Sequence, residues 1–250
     1  MNIYSLKTHP IQVGESLADI LDAYIPPLEE QMVIAITSKI ISLCQGRVIP
    51  KESVPDKYQL ICNEADGYLE NVTPNPYDIY LTITNHILIP SAGIDESNGN
   101  GFYILYPQDI QATAAFVWEY LRKRDNITHL GIVITDSHTT PLRRGVTGIG
   151  LGWCGFIPLH SYVGKPDIYG NPLRVTQINT LDALAAASVF AMGEGAEQTP
   201  LVLIKDAPHI EYLARLPRLE EEESLRIALK DDLYAPLLES VSWVWKDGKR

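Results

Sequence analysis

Short runs of aliphatic and β-branched residues, separated by segments with helical patterns, constrain the fold of this sequence more than any other feature. Residues 32–36 (MVIAI) have the length and composition of a buried strand. Similar runs, each predicted to be a strand, occur at residues 79–83, 86–89, 130–135, 173–176 and 201–204. Strands that alternate with helices predict a mixed α/β (α+β) protein.

Two segments carry signals of helix ends. Residues 109–124 begin with Asp109 and end in the basic run RKR, which is the charge order that a helix dipole favours. Residues 180–192 are rich in alanine, carry Asp182 in the first predicted turn and are followed by Gly193, a residue typical of helix C-termini. We predict a helix over each segment.

The C-terminal part contains a run of glutamates, residues 220–223, before an apolar and basic run at residues 225–230. Acidic side chains stabilise the first turn of a helix, so this run predicts a solvated helix start rather than a cation site. No repeat or low-complexity linker divides the sequence. We predict a single unit over residues 1–250, in which residues 206–250 form a C-terminal helical extension.

The charge balance narrows the choice of partners. Twenty Lys and Arg residues against 31 Asp and Glu residues give a net charge of -11, which disfavours nucleic acid and membrane surfaces as partners. A phosphate-bearing ligand would therefore need local cations or a bound metal. The three cysteines lack metal-binding spacing and no run approaches a membrane span, so we expect reduced thiols and a cytoplasmic protein.

Three predicted turns carry a carboxylate among glycine or hydroxyl residues. Asp95 lies in SAGIDESN, Asp136 in ITDS and Glu194 in MGEG. Loops at the carboxyl ends of sheet strands converge on a crevice, so we expect these three side chains to meet there. Carboxylate oxygens are the ligands that Mg²⁺ and Mn²⁺ prefer. Glu194 also follows a predicted helix C-terminus, where a carboxylate is unfavourable unless a cation lies nearby.

Each of these residues also has a simpler interpretation. Asp136 could form an Asx turn at a strand end, Asp95 could cap a short helix, and Glu194 could lie in solvent. Arg143 and Arg144 follow Asp136 closely and are the best local candidates for binding phosphate or carboxylate, since guanidinium groups match those anions. Their alternative is a surface cation pair. The residues alone leave these alternatives open.

A cysteine or serine hydrolase is a second class of function to consider. His138 lies near Asp136, and His160 lies six residues after Cys154. No Gly-x-Ser-x-Gly elbow or other nucleophile motif accompanies them. The pattern therefore favours a metal and phosphate site over a hydrolase.

Taken together, the motifs resemble those of the coenzyme F420-0:L-glutamate ligase family, which adds γ-linked glutamate to a deazaflavin coenzyme precursor. The resemblance covers residues from about 9 to 205 and rests on TSKIIS with Gly46 and Arg47, AGID with Asn98, ITD, RRGV, DIYG and MGEG. It implies an F420-0:γ-glutamyl ligase-like fold and an intertwined homodimer. It also implies GTP or ATP as energy source and two Mg²⁺ or Mn²⁺ sites, with K⁺ as a further candidate cofactor.

Carried over to this sequence, the resemblance assigns residues to each role. Asp95 and Asp136 would hold one divalent metal, with Ser137 and Glu194 at a second. The candidate catalytic residues are Asp95, Asp136, Arg143 and Arg144. The nucleotide would contact Ser38, Lys39, Asn98, Met192, Gly193, Gly195, Ala196, Glu197, Gln198 and Thr199. The implied substrates are L-glutamate and a deazaflavin coenzyme.

Departures from the family pattern leave the acceptor and the activity open. Leu43 stands where the family has a lysine, Thr139 and Thr140 where it has Gly-Arg, and Ser137 where it has threonine. Similar variants occur in a bacterial branch of γ-glutamate ligases associated with folate metabolism, so a folate or pterin is the alternative acceptor. Loss of the lysine removes a phosphate-directed cation. A homologue that binds nucleotide and metal without turnover is therefore the other alternative.

Overall fold

The structure of this protein, a computed structural model, describes residues 1–70 and 77–246. Its strands are β1 (Asn2–Leu6), β2 (Met32–Thr37), β3 (Val48–Pro50), β4 (Gly67–Leu69), β5 (Leu81–Thr84), β6 (Ile87–Pro90), β7 (Phe102–Ile104), β8 (Leu130–His138), β9 (Thr147–Cys154), β10 (Leu159–Ser161), β11 (Gln177–Asn179), β12 (Leu201–Lys205) and β13 (Trp243–Trp245). Its α-helices are α1 (Leu17–Tyr24), α2 (Ser38–Cys44), α3 (Lys57–Glu64), α4 (Ile110–Asp125), α5 (Thr180–Met192), α6 (Leu219–Glu223) and α7 (Ala235–Leu238). Short 3-10 turns occupy Lys51–Ser53, Ser91–Gly93 and Leu229–Asp231.

A five-stranded mixed sheet in the order β1-β12-β2-β8-β9 forms the centre of the fold. The β2 and β8 strands are parallel, with Met32 opposite Leu130 and Thr37 opposite Thr135. The other neighbouring strands are antiparallel. Because parallel strands end at the same edge of a sheet, the segments that follow Thr37 and Thr135 begin side by side.

Helices cover both faces of the central sheet. On β2, Ile34 and Ile36 pack into a cluster with α1 and α4, whereas Val33 and Ala35 pack into a second cluster with α5. Since side chains alternate between the faces of a strand, a strand that is covered on both sides must be apolar throughout. Each fully buried Ile or Leu side chain stabilises the fold by about 1.5–3 kcal/mol relative to exposure. The central strands therefore carry continuous apolar runs.

Most of the predicted strands are confirmed. The runs at residues 32–36, 130–135 and 201–204 correspond to β2, β8 and β12, and those at 79–83 and 86–89 correspond to β5 and β6. The β5 and β6 strands form a hairpin whose two turn residues, Asn85 and His86, have φ values of 53° and 61°. Positive φ at both positions suits a two-residue hairpin turn. This hairpin belongs to a separate sheet, β13-β4-β5-β6.

The strand predicted at residues 173–176 is wrong. The backbone N–H of Leu173 donates to the carbonyl of Lys165 at 2.9 Å, so the chain turns back on itself here. Pro166 faces Pro172 in an isolated bridge, and proline has no N–H with which to extend a ladder. The regular strand begins only at β11, which pairs with β10.

The two predicted helices are confirmed as α4 and α5, although the acidic cap predicted for α4 is not formed. Asp109 precedes α4 with a left-handed backbone (φ 45°) and its side chain makes no capping hydrogen bond. Asn179 caps α5 by accepting a hydrogen bond from the Asp182 N–H at 2.9 Å. Gly193 ends α5 with φ 77°, a conformation that favours glycine.

Residues 206–246 contain less helix than predicted for an extension over residues 206–250. The helix α6 stops at Glu223, before the run at 225–230, and α7 has four residues. Side chains such as Leu219 and Ile227 stay exposed there, so packing does not support a longer helix. The chain instead adds β13 to the edge of β4. Residues 247–250 lie outside the described residues.

In residues 1–70 and 77–246, no helix combines the length and the apolar character needed to cross a membrane.

Candidate active site

A pocket of about 560 Å³ with both polar and apolar lining lies where the parallel pairing of strands β2 and β8 ends. Five parts of the chain contribute to it: residues 8–11, the start of α2, the loop after the turn Ser91–Gly93, the end of β8 and the loop after α5. The predicted site residues that line this pocket are Lys39, Asp95, Asn98, Asp136, Ser137, Met192, Gly193, Glu194, Gly195, Ala196, Glu197, Gln198 and Thr199. The structure thus brings Asp95, Asp136 and Glu194 into one pocket, while their roles stay predictions.

Asp136 lies at the inner end of the pocket. It follows Ile132 and Ile134 on the same face of β8, by the alternation of strand side chains, and so points towards the cluster formed with α4. Burial raises the pKa of Asp136 to about 6; the Asp95 carboxylate acts in the same direction, whereas Tyr106 and the Ser137 N–H partly oppose it. A carboxyl group that titrates near neutrality in a pocket is a candidate functional group.

Asp95 is presented by a turn with left-handed backbone, in which Ala92 and Gly93 have φ values of 56° and 71°. Its carboxylate accepts hydrogen bonds from the Ser97 N–H at 2.7 Å and the Ser97 hydroxyl at 2.8 Å, and it lies 2.6 Å from the Lys39 Nζ. Burial favours the neutral form, but Lys39 and Ser97 outweigh it and lower the pKa of Asp95. Asp95 therefore forms an Asx turn and also faces the pocket.

Glu194 enters the pocket from the loop that begins at Gly193. Burial raises the pKa of Glu194; Lys39 opposes that rise, the Asp95 carboxylate adds to it, and the Ser137 hydroxyl partly stabilises the ionised form. The Asp95 carboxylate therefore acts to raise the pKa of both Asp136 and Glu194, and the position of Glu194 at the negative end of α5 adds to the excess of negative charge.

The loop after α5 is tied to the Asp95 loop and to its own helix. The Asn98 side-chain amide donates to the carbonyl of Gly195 at 3.0 Å. The Gly195 N–H donates to the Glu197 carboxylate at 2.8 Å, and the Thr199 hydroxyl donates to the Met192 carbonyl at 2.6 Å. These contacts hold the loop across the pocket, where it can surround a bound molecule.

The oxygen donors in this pocket are of the type that a hard divalent cation binds. Their present arrangement is not that of a chelating site. In the described part of the chain, no three or more His, Cys, Asp or Glu side chains are arranged to hold a metal ion. Lys39 balances Asp95 instead. The carboxylates of Asp95, Asp136 and Glu194 and the hydroxyl of Ser137 are all oxygen donors, the type that Mg²⁺ and Mn²⁺ take. The raised pKa values of Asp136 and Glu194 indicate that a further cation would stabilise the ionised site.

Three predicted site residues, Ser38, Arg143 and Arg144, do not line the pocket. Arg143 and Arg144 are exposed in the turn between β8 and β9, where the Arg143 N–H donates to the Thr140 carbonyl at 3.3 Å. This turn follows the end of β8, and neither arginine lines the pocket. Ser38, the first residue of α2, is buried behind the wall that Thr37 and Lys39 form.

Several residues that sequence reasoning did not single out also belong to the site. Thr8 and His9 line the pocket, and the Thr8 N–H donates to the Gln198 carbonyl at 2.9 Å. No motif in the N-terminal segment signals this contact. Leu43 lines the pocket too, so an apolar side chain faces it where the family resemblance expects a lysine. The hydroxyl of Tyr106 faces Asp136 from behind.

The geometry argues against a cysteine nucleophile. Cys154 is fully buried in β9, and burial raises the pKa of its thiol to about 12, so the reactive thiolate is disfavoured. His160 packs its ring against Tyr162 and His209. Among the described residues that line the pocket, none is a cysteine. The predicted preference for a metal and phosphate site over a hydrolase is therefore consistent with the structure.

The fold and the pocket define a mixed α/β protein with an acidic binding site at the edge of its central sheet. The sequence model of the F420-0:Gamma-glutamyl ligase family matches residues 5–206. A coenzyme F420:L-glutamate ligase of Methanopyrus kandleri is 29% identical, over 78% of this chain and 82% of the relative. Proteins of the same name from Natronomonas pharaonis and Methanococcus maripaludis are 29% and 28% identical, over 88% and 83% of this chain and 92% and 89% of the relatives.

The family match covers most of the chain, including β2, β8, β9 and β12 of the central sheet and all the residues that line the pocket. The chain therefore belongs to the F420-0:Gamma-glutamyl ligase family. This membership confirms the resemblance and the mixed α/β fold that it implies.

Proposed function

We propose that this protein is a γ-glutamyl ligase that depends on a nucleoside triphosphate and a divalent metal, and that it joins L-glutamate through an amide bond to coenzyme F420-0. One observation carries the proposal: in a chain of this family, three carboxylates and Lys39 meet in one pocket. The names of the matched relatives support the choice of glutamate and the deazaflavin coenzyme as substrates.

Amide formation from a carboxylate requires activation. In the proposed reaction, an oxygen of the acceptor carboxylate attacks the γ-phosphorus of the nucleotide, which forms an acyl phosphate and releases the nucleoside diphosphate. The amine of glutamate then attacks the acyl carbon, inorganic phosphate leaves, and the amine loses a proton. Neither step needs a protein nucleophile, so the protein mainly positions the substrates and balances charge.

Different residues of the pocket would bind the metal, the phosphate groups and the rest of the nucleotide. Asp95, Asp136, Ser137 and Glu194 would hold Mg²⁺ or Mn²⁺, which when bound neutralises phosphate charge. Lys39, now paired with Asp95, is close enough to turn its ammonium group towards a phosphate oxygen. The Asn98-tethered loop at residues 193–199 would surround the nucleotide, GTP or ATP.

The pocket also fits a second acceptor, a folate or pterin. Leu43 presents an apolar side chain to the pocket where the family resemblance expects a cation, and its neighbours Ile11 and Ile40 are apolar too. An apolar wall suits the flat face of a fused heterocycle and does not by itself distinguish a deazaflavin from a pterin. The same residue keeps open a homologue that binds nucleotide without turnover.

The homodimer, the cytoplasmic location and the potassium requirement remain proposals. The segment between β10 and β11 exposes three apolar side chains: Ile168, Tyr169 and Val175 are 90%, 83% and 85% exposed. Such side chains are typical of protein interfaces and support the homodimer. Light scattering of the purified protein measures its mass and tests this part.

A glutamate-dependent turnover assay tests the function. Purified protein is incubated with Mn²⁺, GTP or ATP, glutamate, and either coenzyme F420-0 or a pterin acceptor, and phosphate release and the coupled product are measured. We expect both to require glutamate and one acceptor. Asp95→Asn should remove turnover, and Glu29→Gln, which changes an exposed carboxylate outside the pocket, should not. Nucleotide binding without phosphate release from any acceptor would favour the inactive homologue and refute the ligase.

A further inference from the structure

The hydroxyl of Tyr106 is buried without a hydrogen-bond partner. Tyr106 is 8% exposed, and no described residue makes a hydrogen bond of accepted geometry with its hydroxyl. The same hydroxyl faces the Asp136 carboxylate closely enough for the two groups to interact. Tyr106 does not line the pocket itself, so it approaches Asp136 from the core side.

The tyrosine is held in this position from several sides. Gly93 has no side chain, and a Cβ at that position would overlap the Tyr106 ring. The Arg47 guanidinium donates to the Tyr106 carbonyl at 3.1 Å, and the Arg47 carbonyl accepts the Leu105 N–H at 3.0 Å. An ion pair of 2.6 Å to Glu64 fixes Arg47 in turn. The ring therefore has little freedom to aim its hydroxyl elsewhere.

Packing alone does not account for this hydroxyl. A phenylalanine would fill the same space, and burying a hydroxyl without a partner is unfavourable. A buried polar group that lacks a partner in a native fold calls for an explanation. The Asp136 carboxylate, an acceptor that interacts with this hydroxyl, offers one.

We infer that Tyr106 is a positioning residue for Asp136, and that its hydroxyl donates a hydrogen bond that orients the Asp136 carboxylate when the pocket binds a divalent cation. The inference rests on the metal-dependent function proposed above and adds a residue to it. Carboxylates that bind metals are commonly oriented by hydrogen bonds from outside the ligand set. Tyr106 also joins the two acidic loops, since its ring packs on Gly93 beside Asp95 while its hydroxyl faces Asp136.

Manganese binding to Tyr106→Phe tests the inference. The free Mn²⁺ signal is measured by electron paramagnetic resonance as the purified protein is titrated, without nucleotide or acceptor. We expect Mn²⁺ to bind about 10- to 100-fold more weakly to the variant, the usual effect of removing such a supporting group. The melting temperature in a chelator should change little, because the hydroxyl makes no hydrogen bond of accepted geometry in the metal-free fold.

Thr84→Val is the matched control, since Thr84 also buries an unpartnered hydroxyl but does not line the pocket. It should bind Mn²⁺ like the wild type. Equal Mn²⁺ affinity in the wild type and Tyr106→Phe overturns the role of Tyr106 and leaves the ligase proposal intact. No Mn²⁺ binding to the wild type overturns the metal-dependent function itself.

A spectroscopic measurement on the unmodified protein gives a second test that does not depend on the variant's folding. Saturation with Mn²⁺ should change the near-ultraviolet difference spectrum of a tyrosine whose hydroxyl becomes a donor to a carboxylate. The sequence has 13 tyrosines, so the change is assigned to Tyr106 by its loss in Tyr106→Phe. A saturated wild type with no tyrosine signal contradicts the inference.

Discussion

Replacing Asp136 with asparagine should stabilise the fold and also remove metal-dependent nucleotide binding. Burial raises the pKa of this carboxyl from 3.8 to about 6, so the folded protein binds the proton more tightly than the unfolded chain does. At neutral pH the difference between these values corresponds to at most about 3 kcal/mol of lost stability. It is an upper limit, because Asp136 still reaches solvent through the pocket. Asparagine keeps the shape and removes the charge.

The pH dependence of this effect has a definite sign. Below about pH 4 the carboxyl is protonated in both the folded and the unfolded state, and the wild type has its full stability. As the pH rises through about 6, the unfolded chain ionises more readily than the folded protein, so the wild type loses stability. Asparagine does not titrate. The free energy of unfolding of the variant, relative to that of the wild type, should therefore rise between about pH 4 and pH 6. It should stay higher above about pH 6.

Urea denaturation in the presence of a chelator measures both curves. Trp118 and Trp153 are buried, so tryptophan fluorescence reports loss of the core around the sheet. Glu29→Gln serves as the control, because its exposed carboxylate should leave the stability unchanged at both ends of the pH range. An Asp136→Asn variant that is less stable than the wild type at about pH 7.5 would refute the reasoning, since the carboxylate would then have a stabilising partner. Calorimetric titration of the variant with nucleotide and Mn²⁺ should show no binding.

Two further substitutions test the roles of Lys39 and Cys154. Lys39→Gln removes the ammonium 2.6 Å from Asp95, so the pKa of Asp95 should rise and calorimetry should show nucleotide affinity lowered by about tenfold; unchanged affinity would limit Lys39 to a structural ion pair. Cys154→Ala changes a buried thiol whose pKa is about 12, so ligase turnover should stay within about twofold while the free energy of unfolding falls by about 1 kcal/mol. Loss of turnover without loss of folded protein would instead support a thiol mechanism.

The central sheet and its two long helices were predictable because their signals are local. The runs that became β2, β8 and β12 are apolar throughout, which follows from burial on both faces. The helix at 180–192 has its cap, Asn179, and its terminal glycine, Gly193, directly next to it in the sequence. Short strands such as β10, β11 and β13 depend on partners elsewhere in the chain. Their sequences lack a period of their own, and the apolar run at 173–176 was misleading for the same reason.

The convergence of the carboxylates was predictable, whereas the surroundings of the site were not. Lys39 and Asp136 lie just beyond Thr37 and Thr135, the last parallel pair of β2 and β8, so a topological rule brings them together. No such rule covers Tyr106, whose sequence context, YILY, is typical of a core strand. The positions of Arg143 and Arg144 depend on where the β8–β9 turn projects, which is a property of the folded hairpin. Motif resemblance identified these arginines but could not place them.

The negative charge of the pocket determines the order in which the cation and the nucleotide can bind. Lys39 is the one Lys or Arg among the described residues that line the pocket, and it is already paired with Asp95. A triphosphate that entered alone would meet Asp95, Asp136 and Glu194 in a protein whose net charge is -11, and like charges at close range repel strongly where solvent screening is weak. In the proposed reaction the nucleotide therefore enters together with its divalent cation or after it. Lys39 can leave Asp95 once that cation has taken over the balance of charge, which makes the ammonium available to the phosphate at the stage when activation needs it.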